Sequence, residues 1–322
     1  MYAAIFPGQG SQRPGMGKEL HDEFAASRTV FDQVSNATGI DSRAMCFETD
    51  EETLRLTQNA QLALYTCGLA GWKALEGHLA GRRPQAMAGH SIGEYTALAA
   101  AGILSIEDGA KLVAKRGDLM ARSGNLRPGT MAAILGLERA DLESVCAQVA
   151  DKGTVVIAND NCPGQLVISG DINAVQAASA LASERGAKRV LPLNVSGAFH
   201  SPLMAEPAKA MRETLDQVTF QPSDIPVYSN VTTEPVTDST QWPELLEAQL
   251  MKPVLWTESV THMLRDRVGA FVEIGSGEVL TGLVKRIHKS IESMHDKEID
   301  AMKLVDPLTL NQAATTLQAM GI

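Results

Sequence analysis

Short apolar runs and amphipathic stretches alternate along most of this chain, the pattern of a protein in which strands and helices succeed one another. Residues 3–6 are continuously apolar and run straight into Gly8-Gln9-Gly10-Ser11-Gln12, which predicts a short buried strand ending in a tight loop. A helix is predicted over 60–79 and a short strand-like segment over 85–89. The stretch from 129 to 193 reads differently: strand 129–135, helix 139–150, strands 154–159 and 165–169, helix 173–185, strand 188–193. That βαββαβ order is the ferredoxin-like unit, with Asn161-Cys162-Pro163-Gly164 as its hairpin turn. Helix 201–215, strand 225–229, helix 256–264 and strand 270–274 then resume the alternation. The expected architecture is α/β, with a small ferredoxin-like subdomain at 128–196 inserted into a large domain built from 1–127 and 197–322. Beyond about 290 the sequence turns more polar and fits either a mobile or a docking segment.

Composition narrows the partners. The chain has 322 residues, 44% of them apolar, which suits about two domains or one large domain with an insertion. Acidic residues outnumber basic ones, 38 − 28, for a formal charge of −10, so no chain-wide affinity for nucleic acid or for anionic membranes is expected. No apolar run reaches membrane-spanning length, the alanine-rich stretch 97–104 being broken by Gly102, and the first residues lack a signal-peptide pattern. Cys46, Cys67, Cys146 and Cys162 are scattered without a C-x-x-C pair, which predicts buried thiols in a reducing cytoplasm. No cluster of metal-ligand spacing appears, and no metal or cofactor is expected.

The sharpest chemical signal is Gly89-His90-Ser91-Ile92-Gly93, a G-x-S-x-G pattern between an apolar strand end and a helical run closed by Gly102. Flanking glycines allow a tight strand-to-helix turn that exposes the serine hydroxyl, and the free N–H groups of a helix start can hold an oxyanion. The bland alternative is a serine that only caps the helix. Among seven histidines, His200 is the best candidate base, since it lies in a glycine-containing loop after the last strand of the insertion and follows Ser91 in chain order. His90 is read as a packed or hydrogen-bonded neighbour, and His21, His78, His262, His288 and His295 as surface residues. No Asp or Glu presents itself as a third member, and a backbone carbonyl could orient the imidazole in its place.

Arg116 is the third informative residue. Leu112, Val113, Leu119 and Met120 share its helical face, and an arginine in an apolar stripe is costly unless it meets an anion. That anion is either a protein carboxylate such as Glu94, in a structural ion pair, or the carboxylate of a substrate. The glycine-rich stretches 8–13 and 275–280 lack the third glycine of a dinucleotide fingerprint and are no phosphate loop, so nucleotide binding is not expected there.

Taken together, Gly8-Gln9-Gly10-Ser11-Gln12, Gly89-His90-Ser91-Ile92-Gly93-Glu94-Tyr95, Lys115-Arg116-Gly117, Asn161-Cys162-Pro163-Gly164-Gln165 and Ala198-Phe199-His200-Ser201-Pro202-Leu203-Met204 resemble the malonyl-CoA:acyl-carrier-protein transacylases. Gln249-Leu250-Met251-Lys252-Pro253-Val254-Leu255-Trp256 and Glu273-Ile274-Gly275-Ser276-Gly277-Glu278-Val279-Leu280 extend the likeness, which runs over about 1–288 and leaves the tail outside it. Ile92 and Ser276 depart from the commoner leucine and proline.

The resemblance implies an α/β-hydrolase-like large domain with the insertion lying over its cleft. It implies Ser91 as nucleophile, His200 as base, the Gln249 carbonyl as its orienting group, the N–H groups of Gln9 and Ile92 as oxyanion hole, and Arg116 as the grip on the malonyl carboxylate. Phe199, directly before the base, is expected to wall the acyl pocket. The implied chemistry is ping-pong transfer of malonyl from malonyl-CoA, as substrate, to the phosphopantetheine thiol of an acyl carrier protein, in fatty acid or polyketide synthesis. Lys188, Arg189, Lys285 and Arg286 are candidate docking residues for an acidic carrier, and a monomer is expected. An editing acyl hydrolase ranks second, since it has no need of Arg116, and a non-catalytic docking protein third, since it has no need of Ser91 with His200.

Overall fold

The structure, a computed structural model, describes residues 1–292 and 298–321. The chain opens with β1 (Tyr2–Phe6) and reaches β2 (Ala86–Gly89) after a run of helices ending in the long helix Thr57–Glu76. β3 (Gly129–Leu135), β4 (Val155–Cys162), β5 (Gln165–Asp171) and β6 (Arg189–Pro192) follow, with helices Arg139–Gln148 and Ile172–Glu184 between them. The last third adds β7 (Val227–Tyr228), β8 (Pro235–Val236), β9 (Val254–Leu255), β10 (Ala270–Ile274) and β11 (Asp300–Leu304).

Two sheets result. The larger runs β11-β10-β1-β2-β7-β8, parallel except for the β7–β8 pair. β1 explains why it is covered on both sides: Tyr2, Ala4 and Phe6 enter one apolar core and Ala3 and Ile5 the other. Alternate side chains point to opposite faces, so a strand without polar positions must lie between two layers. The smaller sheet runs β6-β3-β5-β4-β9 and has its own core against the two intervening helices. Its first four strands keep the ferredoxin-like order and are antiparallel. The fifth comes from outside the unit: β9 pairs in parallel with β4 through Asn159 and Asp160.

Several elements differ from expectation. The predicted helix over 201–215 begins with a short 3₁₀ turn at Pro202–Met204, and the regular helix is Ala205–Leu215. Helix Trp242–Met251, which carries Gln249, β8, β9 and the early helices were not predicted. The tail is neither loose nor peripheral in its described part: β11 pairs along β10, and helix Pro307–Ala319 buries Leu310, Ala313, Ala314 and Leu317. The four buried positions, 310, 313, 314 and 317, fall on one helical face, which a polar average conceals.

The turn between β2 and helix Ile92–Ala100 is the tightest point of the large sheet. A Cβ on Gly93 would stand 2.1 Å from the Phe6 carbonyl oxygen, and one on Gly89 would stand 1.9 Å from the Gly93 carbonyl. Both clashes are with backbone, so neither can be relieved by a side-chain rotation. Gly93→Ala is therefore expected to cost about 3 kcal/mol or more in urea unfolding. Gly282→Ala, on a helix position where an added Cβ meets nothing within 4 Å, should instead stabilise by about 0.5–1 kcal/mol. Equal effects of the two substitutions would remove the close approach as the reason for the glycine.

Candidate active site

Ser91 stands at the C-terminal end of β2, where a parallel sheet opens its ligand crevice. Its backbone has φ 53° and ψ −108°, a region that costs an L-residue strain and that the glycines on either side make reachable. Asn230 braces the turn from both sides: its Oδ1 accepts from the Ser91 N–H at 2.8 Å and its Nδ2 donates to the Gly89 carbonyl at 2.7 Å. The turn is thus held in a strained form by hydrogen bonds from another segment.

His200 is brought to the serine across 109 residues of sequence, with Nε2 at 2.8 Å from Ser91 Oγ. It too has a positive φ, 55°, and is buried. Its Nδ1 lies 2.8 Å from the main-chain carbonyl oxygen of Gln249. A carbonyl only accepts, so Nδ1 carries the proton and donates, leaving Nε2 as the acceptor for the serine hydroxyl. Burial, reinforced by the charge of Arg116, pushes the imidazole down to about 3 from its usual value. It is therefore neutral, and able to take a proton, throughout the physiological range.

Arg116 is 1% exposed and is not in an ion pair with Glu94. Its Nη1 donates to Gln61 Oε1 at 2.7 Å, and its Nη2 donates to Ser91 Oγ at 3.0 Å and to Gln249 Oε1 at 2.9 Å. All three partners are uncharged. The Tyr95 ring adds a cation–π contact, its centroid 5.5 Å from the guanidinium carbon. Burial lowers the pKa, but from so high a start that the group stays charged. A buried cation thus sits beside the serine with no anion bonded to it.

Ser91, His200, Arg116 and Gln61 line one solvent-open cleft of about 530 Å³, together with Gln9, Ile92 and Phe199. Ile92 is the first helical residue, so its N–H has no acceptor within the helix. Gln9 is tied through its side chain to Thr57 Oγ1 at 3.4 Å, which fixes the loop after β1. His90 is engaged as expected, its Nε2 2.8 Å from Asn161 Oδ1 and its ring against Trp256. The other histidines correct the surface reading: His21, His78 and His262 are half-buried and His288 is buried, while His295 lies outside the described residues. Lys188, Arg189, Lys285 and Arg286 are exposed. Asn230, Gln61 and the side chain of Gln249 were missed as members of the site, and Glu94, weighed as an ion-pair partner of Arg116, instead accepts from Asn230 and Gln249. No local pattern distinguishes Asn230 or Gln61.

The match to known proteins extends over this whole arrangement. The model of the acyl transferase domain matches residues 4–319, which brings the tail into the family and corrects its exclusion. A malonyl CoA-acyl carrier protein transacylase of Bacillus subtilis strain 168 is 42% identical over 317 residues, 98% of this chain and 97% of the relative. That of Escherichia coli K12 is 38% identical, covering 94% and 97%. Among solved structures, an acyl-carrier-protein S-malonyltransferase of Bartonella henselae superposes with a TM-score of 0.92 at 39% identity, over 100% of each chain. A malonyl-transacylase in complex with the acyl carrier protein of a type II polyketide synthase gives 0.90 at 36%, over 98% of this chain and 99% of that one. The chain belongs to the malonyl CoA-acyl carrier protein transacylase family of acyl transferases.

Proposed function

We propose that this protein transfers malonyl from malonyl-CoA to an acyl carrier protein through an ester on Ser91. The observation that carries the reading is the buried, unpaired Arg116 bonded to the same hydroxyl that His200 can deprotonate. In the first half-reaction Ser91 Oγ attacks the thioester carbonyl while His200 Nε2 takes its proton. The N–H groups of Gln9 and Ile92 receive the developing oxyanion, and the CoA thiolate leaves as His200 returns the proton to it. In the second, His200 takes the proton of the carrier's thiol, the thiolate attacks the ester carbonyl, and His200 returns the proton to Ser91 Oγ as it leaves. No step requires a cofactor.

Arg116 supplies the selectivity. Nη1 and Nη2 carry two hydrogens each, and Gln61 and Gln249 occupy one apiece. The second hydrogen of Nη1, and the one now on Ser91 Oγ, are left for a carboxylate. A hydrolase acting on neutral acyl groups would bury this charge without return, and a docking protein would have no use for the serine–histidine pair. The carrier is proposed to dock on the exposed Lys188, Arg189, Lys285 and Arg286, because an acidic partner meeting a chain of charge −10 needs a local basic patch. One chain supplies every residue named at the site, so the reaction is proposed to need only a monomer. Among the described residues no helix is long and apolar enough to cross a membrane, and all four cysteines are free, which supports a cytoplasmic setting.

Exposure to malonyl-CoA should add one malonyl group to the wild type and none to Ser91→Ala, read by intact mass. The loading rate at limiting substrate should show no inflection near the ordinary imidazole value of about 6.5, because the folded imidazole stays neutral well below it. An adduct on the alanine variant would remove Ser91 from its role.

Arg116→Ala should lower the preference for malonyl-CoA over acetyl-CoA roughly tenfold to a hundredfold, the worth of hydrogen bonds to a charged group. Phe199→Ser, which opens the cleft wall beside the base, should chiefly relax rejection of methylmalonyl-CoA, with a smaller effect on malonyl. Competition between paired acyl-CoAs measures both. Retained preference for malonyl in Arg116→Ala would return the arginine to a purely structural part.

A further inference from the structure

Behind the residues that face the cleft lies a carboxylate that does not. Glu94 is fully buried in the first turn of helix Ile92–Ala100, and it is not among the residues lining the cleft. Its Oε1 accepts from the Asn230 main-chain N–H at 2.7 Å, and its Oε2 accepts from Gln249 Nε2. Those two partners reach the serine turn, the arginine and the histidine. Asn230 braces the backbone on both sides of the serine. Gln249 donates to the Ser91 carbonyl at 3.0 Å, accepts from Arg116, and offers its own main-chain carbonyl to His200.

The polarity of this network admits one arrangement. A guanidinium has only donors, so Gln249 must turn its Oε1 toward Arg116. Its NH₂ group then faces Glu94, while the Asn230 N–H faces the other oxygen. Position 94 must therefore present one acceptor oxygen to each of two donors, which a carboxylate does and an amide does not. Burial raises the pKa of this carboxyl above the ordinary carboxylate value, and the donors from Asn230 and Gln249 and the charge of Arg116 oppose that rise. A buried acid costs stability.

We infer that Glu94 is a positioning residue, whose two acceptor oxygens fix Gln249 and Asn230 and through them set Arg116, His200 and the Ser91 turn for acyl transfer. It acts through these neighbours and touches no substrate. The inference rests on the transacylase reading for its malonyl readout but not for its hydroxyl readout.

The test compares wild type, Glu94→Gln and Glu94→Asp, each below its melting transition. The first readout is the ratio of malonyl-CoA to acetyl-CoA loading, and the second is the labelling rate of Ser91 by a neutral fluorophosphonate. Glu94→Gln keeps the shape but points an NH₂ at one of the two donors. It should lower the malonyl-to-acetyl ratio about tenfold and slow labelling by a similar factor. Glu94→Asp changes the shape but keeps both acceptors, and should fall between the other two. Loss of folding alone would reduce malonyl and acetyl loading together and leave their ratio unchanged. An unchanged ratio and labelling rate in Glu94→Gln, or a shorter acid that performs worse than the amide, would overturn the inference. If the wild type labels with fluorophosphonate yet takes no malonyl, the transacylase reading fails and the labelling series alone decides the place of Glu94.

Discussion

A buried guanidinium without an anion is the constraint around which this site is arranged. Removing a cation from water costs several kcal/mol even after relaxation, and Arg116 offsets that with neutral acceptors and one aromatic face. Gln61 and Gln249 hold the group in place without neutralising it, so its charge remains available in the cleft. The same charge helps to keep His200 unprotonated, since a second cation beside it is disfavoured. A single buried charge thus serves selectivity and the state of the base together.

The geometry around it comes from distant segments. Ser91 and His200 both have positive φ, and each is locked by a residue far along the chain, Asn230 for the serine and Gln249 for the histidine. Strain of this kind persists only where the surroundings over-determine it. The small sheet is coupled to the same region: β9, a few residues after Gln249, pairs with β4, and Asn161 at the end of β4 holds His90 beside the serine. The insertion is therefore joined to the elements that carry the site and is not an appendage.

What could be read from the sequence follows the range of the forces involved. β3 and β10 fall at 129–135 and 270–274 as their apolar patterns predict, because burial of alternate or continuous apolar residues is a local signal. The glycines of the turn were legible for the same reason. Ser91, His200 and Arg116 could be singled out one at a time, by motif, loop and cost of burial. Their meeting could not be read from spacing, and came from the family likeness. Asn230 and Gln61 escaped, because an amide in a polar stretch looks the same whether it faces solvent or a buried arginine. The tail was misjudged because four apolar contacts on one helix and a strand added to an existing sheet edge leave little trace in average polarity.

The account turns on Arg116 being a charge that the substrate completes, and thermal unfolding of the acyl-enzymes reads this most directly. Malonyl and acetyl esters on Ser91 differ by one carboxylate, which the malonyl form would place on the unpaired guanidinium. The malonyl-enzyme should melt a few degrees above both the free enzyme and the acetyl-enzyme, since roughly 1.5–3 kcal/mol of charge-assisted hydrogen bonding moves Tm by about 1.5 °C per kcal/mol in a chain of this size. Equal melting of the two acyl-enzymes would show that Arg116 gains nothing from the carboxylate, and would contradict the account.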